Sequence, residues 1–221
     1  MPRPLIICDC DEVLLHFADP FRGYLAAAHD MDLRFDSFSL AGSIRRRDGG
    51  AGITQADVEP LLDGFFETHL ETQYPAAGAV EALASLAQAA DIVILTNVKD
   101  MIRIRRGAEL ARHGMPYEVL CNRGPKGPPV AAMIAERRPE MAVFIDDLPP
   151  HHSSVARHAP QVHRLHMIAD PELRGLIPAA PDAHARIDDW PRAHVYIREL
   201  LGLGPELAKD VIRDGTGKPK G

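Results

Sequence analysis

The sequence alternates between short continuous apolar runs and segments in which apolar residues recur at helical spacing. Runs without polar alternation are typical of strands that are buried on both faces of a parallel sheet. The candidate strands are Leu5–Cys8, Ile92–Leu95, Val119–Cys121, Met141–Ile145 and the more polar Val162–Met167. Their alternation with helices predicts an α/β fold, a Rossmann-like parallel sheet with helices on both faces.

Two of the predicted helices have clear boundaries. Pro128 and Pro129 open one of them, because proline is tolerated in a first helical turn, where its missing N–H has no partner in any case. Asp189 is placed to cap a second helix, which begins around Pro191 and stops at Gly202. Both helices fit the alternation of strands and helices along the chain.

The stretch from Phe17 to Tyr74 interrupts this alternation, because it contains helical patterns and no convincing strand. One helix begins at Asp19-Pro20, and the polar stretch Ser43–Gly50 is interpreted as a loop. A second helix carries an apolar stripe made of Val58, Leu61, Leu62, Phe65 and Phe66. The stretch is therefore predicted to be a small all-α insert after the first strand.

The length and composition fit one domain with an insert. The chain has 221 residues, of which 46% are hydrophobic and 25% charged, and this excludes collagen-like, coiled-coil and disordered chains. We predict that residues 1–16 and 75–204 form the α/β core and residues 17–74 the insert. Residues 205–221 are predicted to form a C-terminal helix and a flexible tail.

The charge balance argues against two classes of partner. The chain has 25 Lys and Arg against 31 Asp and Glu, a formal net charge of -6. So mild an acidic balance attracts neither a nucleic-acid polymer nor an anionic membrane. No apolar run approaches the roughly 20 residues that span a bilayer. We therefore expect no nucleic-acid polymer and no membrane as partner, and the sequence leaves the oligomeric state open.

The cysteines and the N-terminus favour a cytoplasmic location. Cys8, Cys10 and Cys121 are an odd number, and two of them lie in one apolar run, so we expect a reducing compartment and no disulfide framework. The apolar stretch after Met1–Pro4 is too short for a signal peptide and ends at Asp9. Cys8 and Cys10 flank Asp9 on a strand, and we interpret them as small buried apolar residues pointing away from it.

Polar residues follow three of the apolar runs, at the point where each run ends. A lysine lies further along the chain, in the loop before the helix that leads into the third of these runs, Met141–Ile145. These residues are Asp9, Asp11, Thr96, Asn97, Lys126, Asp146 and Asp147. In open α/β sheets the carboxyl ends of the strands share one edge, and ligands bind in the crevice there. We therefore expect these side chains to lie close together although they are far apart in sequence.

Such a cluster of acids requires a cation. Asp9, Asp11 and Asp146, once brought together, repel one another and lose solvation, so some of them take up protons unless a positive charge neutralises them. Oxygen-only ligands favour a hard cation, and Mg²⁺ typically uses one or two carboxylates, several waters and a substrate phosphate. With the charge of Lys126 and the hydroxyl of Thr96, the cluster predicts a pocket for a phosphoryl group beside Mg²⁺.

This pattern resembles the haloacid dehalogenase-like (HAD) superfamily of phosphotransferases. The four motifs of the family correspond, in the family's order, to Asp9-Cys10-Asp11 followed by Val13, to Thr96, to Lys126 and to Asp146-Asp147. The motifs span most of the chain. The stretch from Phe17 to Tyr74 is also similar to the helical cap that the family places between its first and second motifs.

The resemblance implies a covalent mechanism. Asp9 attacks phosphorus and forms an aspartyl-phosphate, which divides hydrolysis into two easier steps. Asp11 protonates the leaving alcohol and then takes a proton from the attacking water. The family's metal position implies that Mg²⁺ is held by Asp9, by the backbone carbonyl of Asp11 and by Asp146.

The remaining motif residues are implied to bind the phosphoryl group. Thr96 and Lys126 stabilise its equatorial charge in the transition state, and the Asn97 amide is a further donor. Asp147 either shares the metal or orients Lys126, and the sequence leaves both open. The expected substrate is a small phosphorylated metabolite, and the expected activity is that of a Mg²⁺-dependent phosphomonoester hydrolase.

The sequence leaves more than one reaction open. Many phosphatases of the family have Gly and Thr after the second Asp, whereas this chain has Glu12 and Val13, which bears on the substrate more than on the chemistry. A dehalogenase usually lacks the second Asp, which here is Asp11. A phosphotransferase and a phosphonate or C–halogen hydrolase of the same fold stay open, as does a non-catalytic relative that binds a phosphorylated ligand.

Two further groups of polar residues are interpreted as surface features. His151, His152, His158, His163 and His166 match no compact metal motif, and we interpret them as lying on a solvated helix and an edge strand. The run Arg45–Arg47 is interpreted as a solvated turn, with the alternative that, as part of a cap loop, it reaches an anionic substrate.

Overall fold

A computed structural model describes residues 2–35, 39–49 and 52–204. Its strands are β1 (Leu5–Cys8), β2 (Leu15–His16), β3 (Met31–Leu33), β4 (Ile44–Arg46), β5 (Tyr74–Pro75), β6 (Asp91–Thr96), β7 (Glu118–Cys121), β8 (Ala142–Asp146), β9 (His163–His166) and β10 (Ala185–Arg186). Its α-helices are α1 (Ala18–His29), α2 (Leu40–Ser43), α3 (Gln55–Thr68), α4 (Ala79–Leu86), α5 (Arg103–Arg112), α6 (Gly127–Arg137), α7 (Pro149–His158), α8 (Pro171–Arg174) and α9 (Trp190–Leu200). The predicted tail, residues 205–221, lies outside the described residues.

Six strands form one parallel sheet in the order β10-β9-β8-β1-β6-β7. β1 lies in the middle, with Cys8 opposite Ile94 of β6 and Ile145 of β8. The predicted Rossmann-like α/β sheet is confirmed, and all five predicted strands belong to it. The sequence does not predict β10, because a strand of two residues leaves no periodic pattern.

Helices cover both faces of this sheet, which explains the unbroken apolar runs. Ile6 and Cys8 pack in one layer with α4 and α9, whereas Leu5 and Ile7 pack in the opposite layer with α6 and α7. All four of these side chains are at most 1% exposed. Burial of each large aliphatic side chain contributes about 1.5–3 kcal/mol. The strand that leads to Asp9 is therefore held from both sides.

α9 also anchors the turn after β1. The indole Nε1–H of Trp190 donates to the backbone carbonyl of Val13 at 2.8 Å, in a fully buried position. The predicted cap of this helix is present, since the Asp189 carboxylate accepts from the N–H of Arg192. The turn that carries Asp9 and Asp11 is thus tied to the far end of the chain.

The insert forms its own small core. α1 and α3 pack through aromatic side chains, with the Phe21 and Phe65 ring centroids 5.5 Å apart in an edge-to-face arrangement. The chain enters and leaves the insert through β2 and β5, which pair antiparallel with His16 opposite Tyr74. This ribbon places the insert above the carboxyl end of β1.

The prediction of an all-α insert is wrong in one respect. β3 and β4 form an antiparallel ribbon in which Asp32 lies opposite Arg45, so part of Ser43–Gly50 is a strand and not a loop. Ile44 is the only buried residue of β4, and three residues are too few to show strand periodicity. Within the described residues no helix is long and apolar enough to cross a membrane.

Candidate active site

The predicted residues converge at the carboxyl edge of the sheet. Asp9 directly follows β1, and its backbone N–H donates to the carbonyl of Ile145 on β8 at 2.9 Å. Asp146 is the last residue of β8, and Thr96 is the last residue of β6. The parallel register therefore brings three strand ends to one place, as the pattern of apolar runs predicts.

Lys126 lies at the centre of this cluster. Its side chain is completely buried, and its Nζ lies 2.7 Å from Asp9 Oδ1 and 2.7 Å from Asp146 Oδ2. Burial by itself lowers the pKa of Lys126, but the two carboxylates outweigh burial and raise the pKa above its usual value. The ammonium group is therefore a permanent positive charge between the two acids.

Asp9 has one oxygen engaged and one available. The N–H of Cys10 donates to Oδ1 of Asp9 at 2.7 Å, and Lys126 contacts the same oxygen. Among the described residues no donor contacts Oδ2. Burial, together with the charges of Asp146 and Asp11, raises the pKa of Asp9 to about 7, although Lys126 opposes this shift. Cys8 and Cys10 on either side are fully buried, as predicted.

Three carboxylates form a group that fits a hard divalent cation. One oxygen each from Asp9, Asp146 and Asp147 lie within 4.8 Å of one another, and all three residues are buried. Burial and the neighbouring Asp146 raise the pKa of Asp147 well above its usual value. Burial also raises the pKa of Asp146, but Lys126 outweighs it and lowers that pKa. An all-oxygen set with this excess of acids suits Mg²⁺.

Two histidines hydrogen-bond to the backbone of Asp146 and Asp147. The interpretation of these histidines as lying on a solvated helix and an edge strand is wrong. His152 and His166 are fully buried, with one ring nitrogen of each bonded to the backbone carbonyl of Asp146 and Asp147, respectively, at 3.0 and 2.8 Å. β9 pairs with both β8 and β10, so it is not an edge strand. The histidines satisfy buried carbonyls and are not solvated.

Asp11 is held by a network that the sequence interpretation missed. Its Oδ1 accepts from Gln73 Nε2 at 2.7 Å and from Arg106 Nη2 at 3.0 Å. Its Oδ2 accepts from the same Arg106 nitrogen at 3.2 Å and from Thr96 Oγ1 at 3.4 Å. In this conformation the carboxylate of Asp11 is turned toward Arg106, and its four contacts occupy both oxygens.

Arg106 is buried inside α5 beside a second acid. The guanidinium is 0% exposed, and its Nη1 also donates to Glu109 Oε2 at 3.2 Å. Burial raises the pKa of Glu109 to about 7 although Arg106 opposes this shift. The signal in the sequence is the spacing of Ile102, Arg106 and Leu110, which places Arg106 on the buried face of an otherwise charged helix.

Glu12 shapes the turn after Asp11. It adopts a left-handed conformation with φ of 58°, at the position where many phosphatases of the resembled family have glycine. Its Oε1 accepts from the N–H groups of Phe17 and Ala18 at 2.8 and 2.6 Å, so it caps the start of α1. Burial raises the pKa of Glu12 to about 7, against these two hydrogen bonds. The departure from glycine therefore fastens the insert to the turn that carries Asp9 and Asp11.

A cavity of about 590 Å³ lies between the acidic edge of the sheet and the insert. Its floor is formed by Asp9, Asp11, Glu12 and Asp147. Its insert side is lined by Phe17, Phe35, Leu40, Val58, Leu62 and Phe66. Asn97 and His151 also line it, with Asn97 Nδ2 3.4 Å from a ring nitrogen of His151. Four of the predicted site residues therefore line a largely apolar chamber, whereas the other three are completely buried and do not line it: Thr96, Lys126 and Asp146.

The arginine run of the insert is placed elsewhere. Arg47 pairs with Asp32 across the β3–β4 ribbon at 2.8 Å. None of Arg45, Arg46 and Arg47 is among the described residues that line the cavity. The interpretation in which this run contacts an anionic substrate therefore has no support from its position.

The sequence matches no protein-family model and no curated protein. The structure is similar to solved structures, among them a haloacid dehalogenase-like hydrolase from Burkholderia xenovorans. That alignment covers 91% of this chain and 99% of that chain, with a TM-score of 0.57 and 16% identity. This chain has the HAD-like fold. The fold expected from the four motifs is confirmed.

HAD-like structures with different activities align equally well. A D,D-heptose 1,7-bisphosphate phosphatase from B. bronchiseptica, complexed with magnesium and phosphate, has a TM-score of 0.53 and 13% identity over 89% of this chain and 99% of that chain. An L-2-haloacid dehalogenase has a TM-score of 0.56 and 14% identity over 88% of this chain and 99% of that chain. The HAD-like fold alone therefore does not select the reaction, which depends on the side chains of the site.

Proposed function

We propose that this protein is a Mg²⁺-dependent phosphomonoester hydrolase that acts on a small phosphorylated metabolite through an aspartyl-phosphate on Asp9. The observation that carries this proposal is the position of Asp9 on the cavity floor, with Oδ1 bound by Lys126 and Oδ2 contacted by no described donor. A carboxylate with one oxygen anchored and the other available is suited to nucleophilic attack.

The two chemical steps use this chain's own groups. In the first, Asp9 Oδ2 forms a bond to phosphorus, the bond from phosphorus to the alcohol oxygen breaks, and the alcohol takes up a proton. In the second, water attacks the phosphorus of the aspartyl-phosphate, inorganic phosphate leaves, and the Asp9 carboxylate is regenerated. Lys126 balances the developing negative charge, and Thr96 and Asn97 are the nearby neutral donors.

The proposed metal site consists of Asp9, Asp146 and Asp147, with the backbone carbonyl of Asp11 as a further oxygen. The spacing of the three carboxylates within 4.8 Å and their burial fit the group. When bound, Mg²⁺ supplies positive charge beside the phosphoryl oxygens. Lys126 forms ion pairs with Asp9 and Asp146 and none with Asp147 among the described residues, which favours Asp147 as a metal ligand over a role in orienting the lysine.

Asp11 is proposed to be the proton donor to the leaving alcohol and the acceptor from water. Its carboxylate lies on the cavity floor, but both oxygens contact Arg106. Proton transfer at Asp11 Oδ2 therefore requires the carboxylate to rotate away from the guanidinium. Arg106 is then a positioning residue that returns Asp11 to its resting state.

The cavity supports a narrower substrate class, in which the alcohol part of the phosphomonoester is uncharged and largely apolar. The insert side of the chamber is built mainly from aromatic and aliphatic side chains, with Ser39 and Gln55 as its polar members, and the described lining residues include no lysine or arginine. Once Asp9 and Asp147 hold Mg²⁺ beside the phosphoryl group, the described lining residues offer no further cationic side chain to pair with a second anionic group on the substrate. We expect kcat/KM for 1-naphthyl phosphate to exceed that for glucose 6-phosphate at least tenfold, and the opposite order contradicts this part of the proposal.

The proposal is tested by phosphate release from 4-nitrophenyl phosphate with Mg²⁺ and with chelator. Wild type is expected to release phosphate only with Mg²⁺, and Asp9→Asn is expected to release none while keeping the circular dichroism spectrum of wild type. Activity retained in Asp9→Asn refutes the nucleophile. Halide release from a 2-haloacid without phosphate release from any ester selects the dehalogenase reaction.

A wild type without phosphatase activity is tested further by trapping with beryllium fluoride, which mimics a phosphoryl group on a carboxylate. A ¹⁹F signal of the bound fluoride that disappears in Asp9→Asn supports the formation of an aspartyl-phosphate on Asp9 and indicates a narrow substrate range. A missing signal in wild type overturns the proposal and leaves a non-catalytic, ligand-binding protein.

A further inference from the structure

A second group of potential metal ligands lies next to the turn after β1, outside the Asp9–Asp146–Asp147 group. One carboxylate oxygen each from Glu12 and Asp170 and one ring nitrogen of His16 lie within 4.8 Å of one another. Glu12 is 3% exposed and Asp170 8%, while His16 is half-buried. The two chemical steps of the proposed reaction use none of these three residues, although Glu12 also lies on the cavity floor.

In each acid of this group, one carboxylate oxygen accepts hydrogen bonds from backbone N–H groups at the start of a helix, and the other oxygen does not take part in that cap. Oε1 of Glu12 caps α1, and Oδ1 of Asp170 caps α8 by accepting from the N–H groups of Glu172 and Leu173 at 2.7 and 3.3 Å. Oε2 of Glu12 is buried and has no hydrogen-bond partner among the described residues. A buried carboxylate oxygen without a partner is unfavourable, so a bound cation or a proton at this position would stabilise it.

His16 completes the group with an available imidazole. In the described part of the chain no donor or acceptor contacts its ring nitrogens. The ring is held in place by Tyr74 across the β2–β5 ribbon, with centroids 4.8 Å apart. The N–H of Ala169, next to Asp170, donates to the carbonyl of Glu12 at 2.7 Å. The three ligands are thus fixed relative to one another before any ion binds.

We propose that Glu12, His16 and Asp170 bind a second divalent cation of the zinc type, separate from the Mg²⁺ site. Two carboxylates and one imidazole are a ligand set that suits Zn²⁺ better than Mg²⁺, and three protein ligands leave a fourth position for water. The ion joins the turn after Asp11, the ribbon where the insert begins and the start of α8. It acts as a brace for the insert and takes no part in phosphoryl transfer.

The test is calorimetric titration of the full-length protein with Zn²⁺ in the presence of excess Mg²⁺, which occupies the other site. Wild type is expected to bind one tight equivalent of Zn²⁺. His16→Gln is expected to bind it at least tenfold more weakly. Asp170→Asn is also expected to bind Zn²⁺ at least tenfold more weakly. Because asparagine caps a helix as well as aspartate does, α8 keeps its cap in this variant, and the weaker binding reports the lost ligand.

Matched controls exclude binding at other histidines. His29 is exposed on α1, and His163 and His184 stack with ring centroids 4.4 Å apart, so both places could also attract Zn²⁺. His29→Gln and His163→Gln are expected to bind Zn²⁺ as wild type does. A loss of the tight equivalent in either control, or its persistence in both His16→Gln and Asp170→Asn, overturns the proposal.

A second readout covers variants that fail to fold. Zn²⁺ added to wild type in excess Mg²⁺ is expected to raise the Tm, because an ion that binds only the folded state stabilises it. Absence of both a tight equivalent and a Tm shift in wild type overturns the proposal and means that the acids share a proton instead of a metal. Asp9→Asn is expected to keep the Zn²⁺ equivalent, so this proposal and the phosphatase proposal fail independently.

Discussion

Replacing Lys126 with methionine tests whether the lysine charge stabilises the buried carboxylates of Asp9 and Asp146. Methionine has a similar length and volume, so the change removes the charge and leaves little cavity. Lys126 is completely buried and contacts Asp9 and Asp146 at 2.7 Å each, so the variant leaves two buried acids without their counter-charge. Removing one partner of a buried ion pair costs about 3–5 kcal/mol. For a chain of this size the expected loss of Tm is about 6–20 °C.

The pH dependence of this loss has a defined sign. Because burial raises the pKa of Asp9 to about 7 from an ordinary value of 3.8, the folded state holds a proton that the unfolded state releases. Stability therefore falls as the pH rises through this window. Without Lys126 the pKa of Asp9 rises further, so the Tm difference between variant and wild type is expected to be smaller near about pH 5 than near about pH 8.

The assay is thermal unfolding in chelator, followed by circular dichroism at both pH values. Lys99→Met is the matched control, because Lys99 pairs with Asp63 at 2.5 Å but is one-third exposed, where an ion pair contributes about 0–1 kcal/mol. Excess Mg²⁺ is expected to restore part of the Tm that Lys126→Met loses. A loss in Lys126→Met no larger than in Lys99→Met refutes the reasoning.

Three further predictions concern the surroundings of the site. Arg106→Gln is expected to lower the free energy of unfolding by about 3–5 kcal/mol, since the buried Glu109 and the partly buried Asp11 both lose their guanidinium partner. A loss below about 1 kcal/mol in urea unfolding contradicts the network. Gly127→Ala places a methyl group 2.5 Å from Ser154 Oγ, so α6 and α7 must move apart, and the expected cost in a thermal melt is about 1–3 kcal/mol. Asp146→Asn is expected to raise the Mg²⁺ concentration for half-maximal activity, with rescue at high Mg²⁺, and an unchanged Mg²⁺ titration counts against the metal site.

The central strands and the position of the acids could be predicted from the sequence, because their signals are local. An unbroken apolar run such as Leu5–Cys8 reports burial on both faces of a sheet without any knowledge of its partners. A polar residue at the end of such a run, as with Asp9 or Asp146, must then lie at the sheet's carboxyl edge. The parallel register follows from the alternation of strands and helices, so the convergence of these residues needs no further information.

The environment of those acids is decided by the tertiary structure alone. Arg106 reaches Asp11 across a sequence separation of 95 residues, and although helical spacing places this arginine on the buried face of α5, it does not show which acid the guanidinium contacts. The sequence pattern assigns His152 and His166 to the solvent because histidine is common on surfaces as well as in interiors. Only the tertiary structure buries them: His152 of α7 packs against Phe144 of β8 and His166 of β9, and β9 pairs with both β8 and β10. Local pattern determines which residues lie at the sheet edge, whereas long-range packing determines what each one contacts.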